Sequence, residues 1–251
     1  MRAVFASLRS ARGILRSLWI YYGDGSRAVA MDRFYAGFVR RGDLVFDIGA
    51  HVGDRVASFH RLGARIVAVE PQPALVKVLK LFFGRCADIT IEAAAVGHSA
   101  GTIDLMVNVD NPTVSTASPA FVTAAGDAPG WEAQRWTATV PVAVTTLDAL
   151  IEKYGPPAFI KIDVEGFEQD ALQGLSRAVK ALSFEFTTIQ RDVALACIAR
   201  CAALGYTRFN AALGESQALV NPDWIDGEQI ARWLVALPHA ANSGDIYAAL
   251  D

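Results

Sequence analysis

Four places in the chain carry residues whose types and spacing could do chemistry. The stretch VFDIGAHVGD, Val45 to Asp54, runs an apolar segment into Asp47 and then sets Gly49 and Gly53 four residues apart. Glu70 ends RIVAVE, 23 residues after Asp47. FIKIDVEG holds Lys161, Asp163 and Glu165 at alternate positions, and Glu185 falls late in ALSFEF. An apolar strand entering a glycine turn and then a helix is the form of a nucleotide-binding βα turn. The carboxylate at its mouth would repel a phosphate and attract a cation. The paired acids further on suit proton removal from an acceptor, or oxygen ligation of a hard divalent ion.

The nucleotide is narrowed by what fails. A dinucleotide fingerprint counted from Gly49 needs Gly where His51 and Asp54 stand, and no phosphate-binding loop with its Gly-Lys-Ser/Thr ending occurs. S-adenosylmethionine fits better, having a nucleoside, a cationic sulfonium and an ammonium group. Asp47 would face the ammonium, Gly49 and Gly53 would let backbone approach, and Glu70 stands where an acid accepts hydrogen bonds from both ribose hydroxyls. Both acids could equally be helix caps or solvated surface groups.

Apolar runs alternating with helical patterns must position these groups. LVFDIG, RIVAVE, ITIEAAAV, FIKIDV and ALSFEF read as buried parallel strands, with TIDLMVN as an extra one. DRVASFHRLG, PALVKVLKLFFG and EQDALQGLSRAVK read as the helices between them. Further helices are expected at 191–204 and 226–237, with YTRFN and GDIYAAL as late strands. The repeated βαβ rhythm predicts a doubly wound α/β sheet whose ligand lies beyond the strands' carboxyl ends. Residues 111–141, rich in small residues, Pro and Gly, are too long for a plain connection and are expected as an insertion or lid. There Ser115 is a candidate hydrogen-bonding partner for an acceptor, and Trp131 and Trp136 would stack on a sugar ring or pin the loop.

Five stretches in order resemble the FkbM family of S-adenosylmethionine-dependent methyltransferases: VFDIGAHVGD, RIVAVEPQP, AAAVGHSAGTIDL, VPVAVTTLDAL and FIKIDVEGFEQDALQG. The resemblance covers about residues 42–187. It implies a class I, Rossmann-like methyltransferase fold, a seven-stranded sheet mostly parallel with one antiparallel strand. It implies methyl transfer to a hydroxyl, commonly of a sugar, glycan or glycosylated product; a polyketide or other small metabolite is the alternative acceptor. By position, Asp47, Gly49, Ala50 and Gly53 match the first cofactor motif, Glu70 the ribose acid, and Ala95 and Val96 the segment beside adenine. The family often has Asn where His51 stands.

At the acceptor, Asp163 is the expected base, with Glu165 and His51 as further candidates. Asp163 with Glu185 would instead hold Mg²⁺. The plainer reading pairs Lys161 with Asp163 and lets Glu165 begin a helix. A different class, a cofactor-binding partner protein without catalysis, is separated from an enzyme by turnover.

Charge is unevenly placed. Residues 1–41 carry eight Arg against Asp24 and Asp32, net +6, which leaves −9 for the rest of a chain of total charge −3. This basic segment, with Arg9, Arg12 and Arg16 among Leu8, Leu15, Leu18 and Trp19, is expected as an amphipathic helix. It would pack on the edge of a methyltransferase domain spanning 42–251 or touch an anionic membrane as a peripheral contact. No stretch is long and apolar enough for a transmembrane span. A net acidic chain with no base-flipping Asn/Asp-Pro-Pro motif gives no reason to expect nucleic acid. Cys86, Cys197 and Cys201 are expected to be reduced core thiols of a cytoplasmic protein; the sequence leaves the oligomeric state open.

Overall fold

A computed structural model describes the backbone of residues 2–251 and the side chains from Ala11 onward. The side chains of Leu8 and Arg9, assigned to the amphipathic segment, lie outside the described residues. The chain opens with two helices, α1 (Arg2–Tyr22) and α2 (Gly25–Tyr35). The βαβ series follows: β1 (Leu44–Ile48), α3 (Asp54–Arg61), β2 (Arg65–Val69), α4 (Pro73–Phe83) and β3 (Ile89–Glu92). Next come β4 (Ala95–Val96), β5 (Gly101–Val107), a 3₁₀ turn (Pro112–Val114), α5 (Pro119–Gly126), β6 (Ala138–Thr145) and α6 (Leu147–Tyr154). The chain then runs through β7 (Phe159–Ile162), α7 (Glu168–Gln173), β8 (Ala181–Thr187), α8 (Arg191–Leu204), β9 (Arg208–Leu213), α9 (Gly227–Ala236) and β10 (Ser243–Ala249).

Among the described residues, seven strands form the main sheet in the order β3-β2-β1-β7-β8-β10-β9. All neighbours are parallel except β10, which runs antiparallel to β8 and β9. This is the class I methyltransferase sheet that the family resemblance implied. The order reverses between β1 and β7, which opens a crevice at their carboxyl ends.

Continuous apolar strands are buried on both faces because helices cover both. Alternation decides which side each residue serves. Phe46, Ile48, Ile160, Ile162 and Phe184 pack beneath α6 to α9. Val45, Phe159, Ala181 and Tyr247 pack beneath α2 to α4. Each large side chain so buried stabilises the fold by about 1.5–3 kcal/mol. The helix α2, within the stretch 1–41 expected as a leader, belongs to this second layer: Met31 and Tyr35 are buried in it, and Asp32 bonds Ser58 and Arg61 of α3.

Three departures from the sequence reading have local causes. ITIEAAAV is two strands: β3 stays in the main sheet, and the chain leaves it at Ala93-Ala94 so that β4 pairs with β6 in a second sheet, β4-β6-β5. The helix expected over EQDALQGLSRAVK ends at Gln173, because Gly174 turns the chain tightly against the Gly97 carbonyl. Strand β6 begins inside 111–141. Its Pro141 falls opposite Asp104 of β5, on a stretch whose other edge has no strand neighbour, where the missing N–H costs no ladder bond.

Gly53, expected to approach the cofactor, is also required by packing. It caps α3 at a φ of 85°, and a β-carbon would lie 2.5 Å from Phe83 and 2.8 Å from Leu79 of α4. Strain in the left-handed region and overpacking add. Gly53→Ala should therefore lower the unfolding free energy by about 2–4 kcal/mol, read from the urea midpoint. An unchanged midpoint would contradict this assignment.

Candidate functional site

The carboxyl ends of β1, β2, β7 and β8 open into a cavity whose empty space, the open solvent at its entrance included, is about 950 Å³. Its floor follows from strand register. Asp47 of β1 lies opposite Lys161 of β7, which lies opposite Ser183 of β8, itself opposite Tyr247 of β10. One step further along the same face come Asp163, Glu185 and Asp245. Alternation thus gathers four carboxylates around one lysine.

Lys161 is 1% exposed and donates to Asp163 Oδ2 at 3.0 Å and Asp245 Oδ1 at 2.8 Å. Burial would strip its proton, but the two acids outweigh that and hold its pKa well above the usual lysine value. Burial likewise opposes ionisation of Asp163, yet the Lys161 charge keeps its pKa below the ordinary carboxylate value, with Glu185 hydrogen-bonded to it. The ion pair expected between Lys161 and Asp163 is thus present, extended to Asp245.

Asp47 is different. Its Oδ2 is buried without a hydrogen-bond partner, and burial pushes its pKa up to about 7. Beside it Gly49, at a φ of 86°, lets β1 pass so close to the end of β7 that a β-carbon would overlap the Asp163 carbonyl oxygen. Gly49 and Ala50 form the cavity wall there, with Ala95 and Val96 on another side.

Glu70 is aimed by backbone. Its two oxygens accept N–H bonds of 2.8 Å, from His51 and from Gln72. Burial also raises Glu70 to about 7, although both N–H groups work against the rise. To present its N–H, His51 sits in the left-handed region at a φ of 47°, a conformation that Asn adopts at less cost than most residues. The His51 ring meets Tyr21 edge-on at 5.5 Å, and its Nε2 is 3.4 Å from Thr113 Oγ1. Burial lowers its pKa to about 4, so the ring is neutral at physiological pH.

Glu165 does not begin a helix. It occupies a left-handed turn at a φ of 54°, while Glu168 starts α7 and its Oε1 accepts from the N–H groups of Val164 and Gly166. Asp163, Glu165 and Glu185 offer oxygens that lie within 4.8 Å of one another. Burial first, and the neighbouring Asp163 charge second, raise both glutamates well above the ordinary range. Glu185 Oε2 is buried without a partner.

Segment 111–141 forms part of the wall through Thr113, Ser115 and Ala117. The Ser115 hydroxyl donates to Gln72 Oε1 at 3.2 Å, so it ties the segment to the turn after β2. Trp131 and Trp136 do not line the cavity. Both pack edge-on against Phe121, and the Trp136 indole donates to the Val114 carbonyl at 2.8 Å, so they pin the segment.

Sequence reading missed one corner. Tyr21, Asp54, Arg55 and Glu215 complete the wall. Arg55 reaches Asp54 at 2.5 Å and Glu215 at 2.7 Å, and Arg27 joins Glu215 at 3.0 Å. Arg55 directly follows the first motif, which was a usable signal. Glu215, 160 residues further on, had none.

Lys161→Met should leave Asp163 and Asp245 buried without their cation, at a cost of about 3–5 kcal/mol at neutral pH. The Asp163 pKa then rises above its unfolded value and that of Asp245, already raised by burial, rises further, so the native state keeps protons that the unfolded chain gives up. The defect should shrink as pH falls from 7 towards 5. Denaturation at both pH values checks this, and a loss independent of pH would refute the charge argument.

The methyltransferase FkbM domain model matches residues 47–227. The fold is similar to a TehB-like SAM-dependent methyltransferase of Corynebacterium glutamicum, at 11% identity over 88% of each chain with a TM-score of 0.46. It is also similar to precorrin-6y C5,15-methyltransferase of Geobacter metallireducens, at 13% identity over 90% of this chain and 87% of that one, TM-score 0.44. Aeropyrum pernix fibrillarin, in complex with natively bound S-adenosyl-L-methionine, aligns at 12% identity over 84% and 68%, TM-score 0.44. No curated protein matches.

Proposed function

Since the chain belongs to the FkbM methyltransferase family, and is thereby an S-adenosylmethionine-dependent methyltransferase, we propose that it methylates a hydroxyl of a sugar, glycan or glycosylated product. The observation that carries the cofactor assignment is Asp47: a buried carboxylate oxygen without a partner, beside a glycine turn, on the floor of the cavity. Such an atom is costly unless a cation or donor meets it. In this reading the cofactor's ammonium group does so. Glu70 is already oriented by two N–H groups and accepts from the ribose hydroxyls, and Ala95 and Val96 give the adenine an apolar wall.

S-adenosylmethionine supplies a methyl group on a cationic sulfur. The chain must hold the acceptor oxygen in line behind that methyl and take up its proton. Asp163 is assigned as the proton acceptor, because Lys161 favours its ionised form while burial raises the pKa of its neighbours. Glu165 and Glu185 then hydrogen-bond further hydroxyls. Three carboxyl groups on one wall suit a polyhydroxylated acceptor better than an apolar polyketide. His51, neutral and of low basicity, is assigned to positioning Glu70 through its backbone.

Mg²⁺ is a second element of the proposal. Asp163, Glu165 and Glu185 are hard oxygen donors of suitable mutual spacing, and Glu185 Oε2 lacks a partner. An ion there would keep both glutamates ionised and acidify a bound hydroxyl. Three free thiols support a reducing, cytoplasmic setting.

Calorimetric titration with S-adenosylmethionine and S-adenosylhomocysteine tests the cofactor site. Glu70→Ala should weaken both by about tenfold or more, worth about 1.4 kcal/mol. Because Asp47 and Glu70, each raised to about 7, must both lose protons to bind, affinity should fall by about 50- to 100-fold between pH 7.5 and 6, and Asp47→Asn should cut that to about tenfold. Absence of binding by the folded native protein would end the cofactor assignment. Heat on titrating Mg²⁺ alone, abolished in Glu185→Gln, would support the ion; an equal signal in the variant would refute it.

A further inference from the structure

We propose that the exposed face built by α1 and the end of α4 docks on an anionic lipid bilayer. Helix α1 has two faces. Gly13 and Ser17 are buried, with Ile14, Leu18 and Tyr21 half-buried beside them. A β-carbon on Gly13 would lie 2.9 Å from Pro112, so this face rests directly on the 3₁₀ turn of the 111–141 segment. The other face is open. Leu15 is 65% and Trp19 77% exposed, with Tyr22 on the same stripe and Arg12 and Arg16 alongside.

The patch continues onto α4. The Tyr22 and Phe82 rings meet at 6.2 Å, and Leu81, next to Phe82, is 79% exposed. Exposed Lys77 lies one turn before Leu81, and Lys80 and Arg85 flank the same end. Neither helix contains an acidic residue. Leucine and aromatic side chains interleaved with Arg and Lys are what a helix lying in a headgroup region requires: the rings enter the interface while the cations stay with the phosphates.

Charge selects the occupant. Helix α1 carries four Arg and α4 two Lys with no acid in either, whereas residues 42–251 are net −9. An anionic surface attracts this face and repels the rest, which fixes orientation as well as affinity. Among the described residues no helix is long and apolar enough to cross a membrane, so the contact is lateral.

The test is flotation of the full chain with vesicles of two parts phosphatidylcholine to one part phosphatidylglycerol, and with phosphatidylcholine alone. Binding is expected only to the anionic vesicles. Arg12→Glu with Arg16→Glu should lower partitioning by about tenfold or more. Leu15→Ser with Trp19→Ser should lower it too, with S-adenosylhomocysteine affinity retained as proof of folding. Failure of the native chain to float, equal binding to neutral vesicles, or indifference to both pairs of substitutions would each overturn the proposal. So would light scattering that shows a lipid-independent dimer dissolved by the Leu15 and Trp19 substitutions, since the face would then be a contact between copies.

Discussion

The Lys161 ammonium sets the electrostatic state of the cavity floor. It is held between Asp163 and Asp245 within a face that also carries Asp47 and Glu185. One cation cannot neutralise four acids, two of them buried and two half-buried. The molecule settles this by ranking them: Asp163 keeps its charge because it is bonded to the lysine, and the others are raised by burial and by Asp163 itself. A carboxylate with a lowered pKa among neighbours whose pKa values are raised is the arrangement that separates acid and base roles in one cavity. The same lysine also bonds β7 to β10 across β8.

The excess of acid is also a reason for the site to bind. Unpaired buried carboxyl oxygens lower stability, and a cationic ligand or a divalent ion that meets them recovers that loss on binding. Backbone strain sits in the same place. His51 and Glu165, neither a glycine, hold left-handed conformations at the two turns that flank the β1–β7 crevice. Such residues cost roughly 1–3 kcal/mol each and persist where surrounding contacts demand them. For His51 the demand is visible: that conformation delivers its N–H to Glu70.

Much of this was legible in the chain. Strands buried on both faces announce themselves as unbroken Val/Ile/Phe runs, and the acids ending them mark the crevice before any coordinates. Lys161 and Asp163 share a face by alternation alone. What could not be read depends on distant partners. Gly53 looked like a cofactor glycine, and Leu79 and Phe83 of the next helix also require it. The role of Trp131 and Trp136 turned on Phe121 and Val114, neither of which the local pattern singles out. Strand β6 was obscured by its own proline, which only a one-sided pairing excuses. Arg55 and Glu215 meet across 160 residues because the fold, not the local sequence, brings β9's exit back to α3.

Helix α1 links surface and site through its geometry. A helix presents neighbours at three and four residues on one face and displaces adjacent residues by about 100°. Trp19 therefore points outward while Tyr21, two positions on, is turned inward to the cavity wall against His51. The Tyr22 hydroxyl donates to the Val52 carbonyl at 3.1 Å, within the first cofactor motif. With Gly13 seated on the 3₁₀ turn that also supplies Thr113, the helix touches both the glycine turn and the insertion. Its outer face is free to be held by something else. One helix thus carries both the exposed Trp19 face and the Tyr21 ring that lines the cavity.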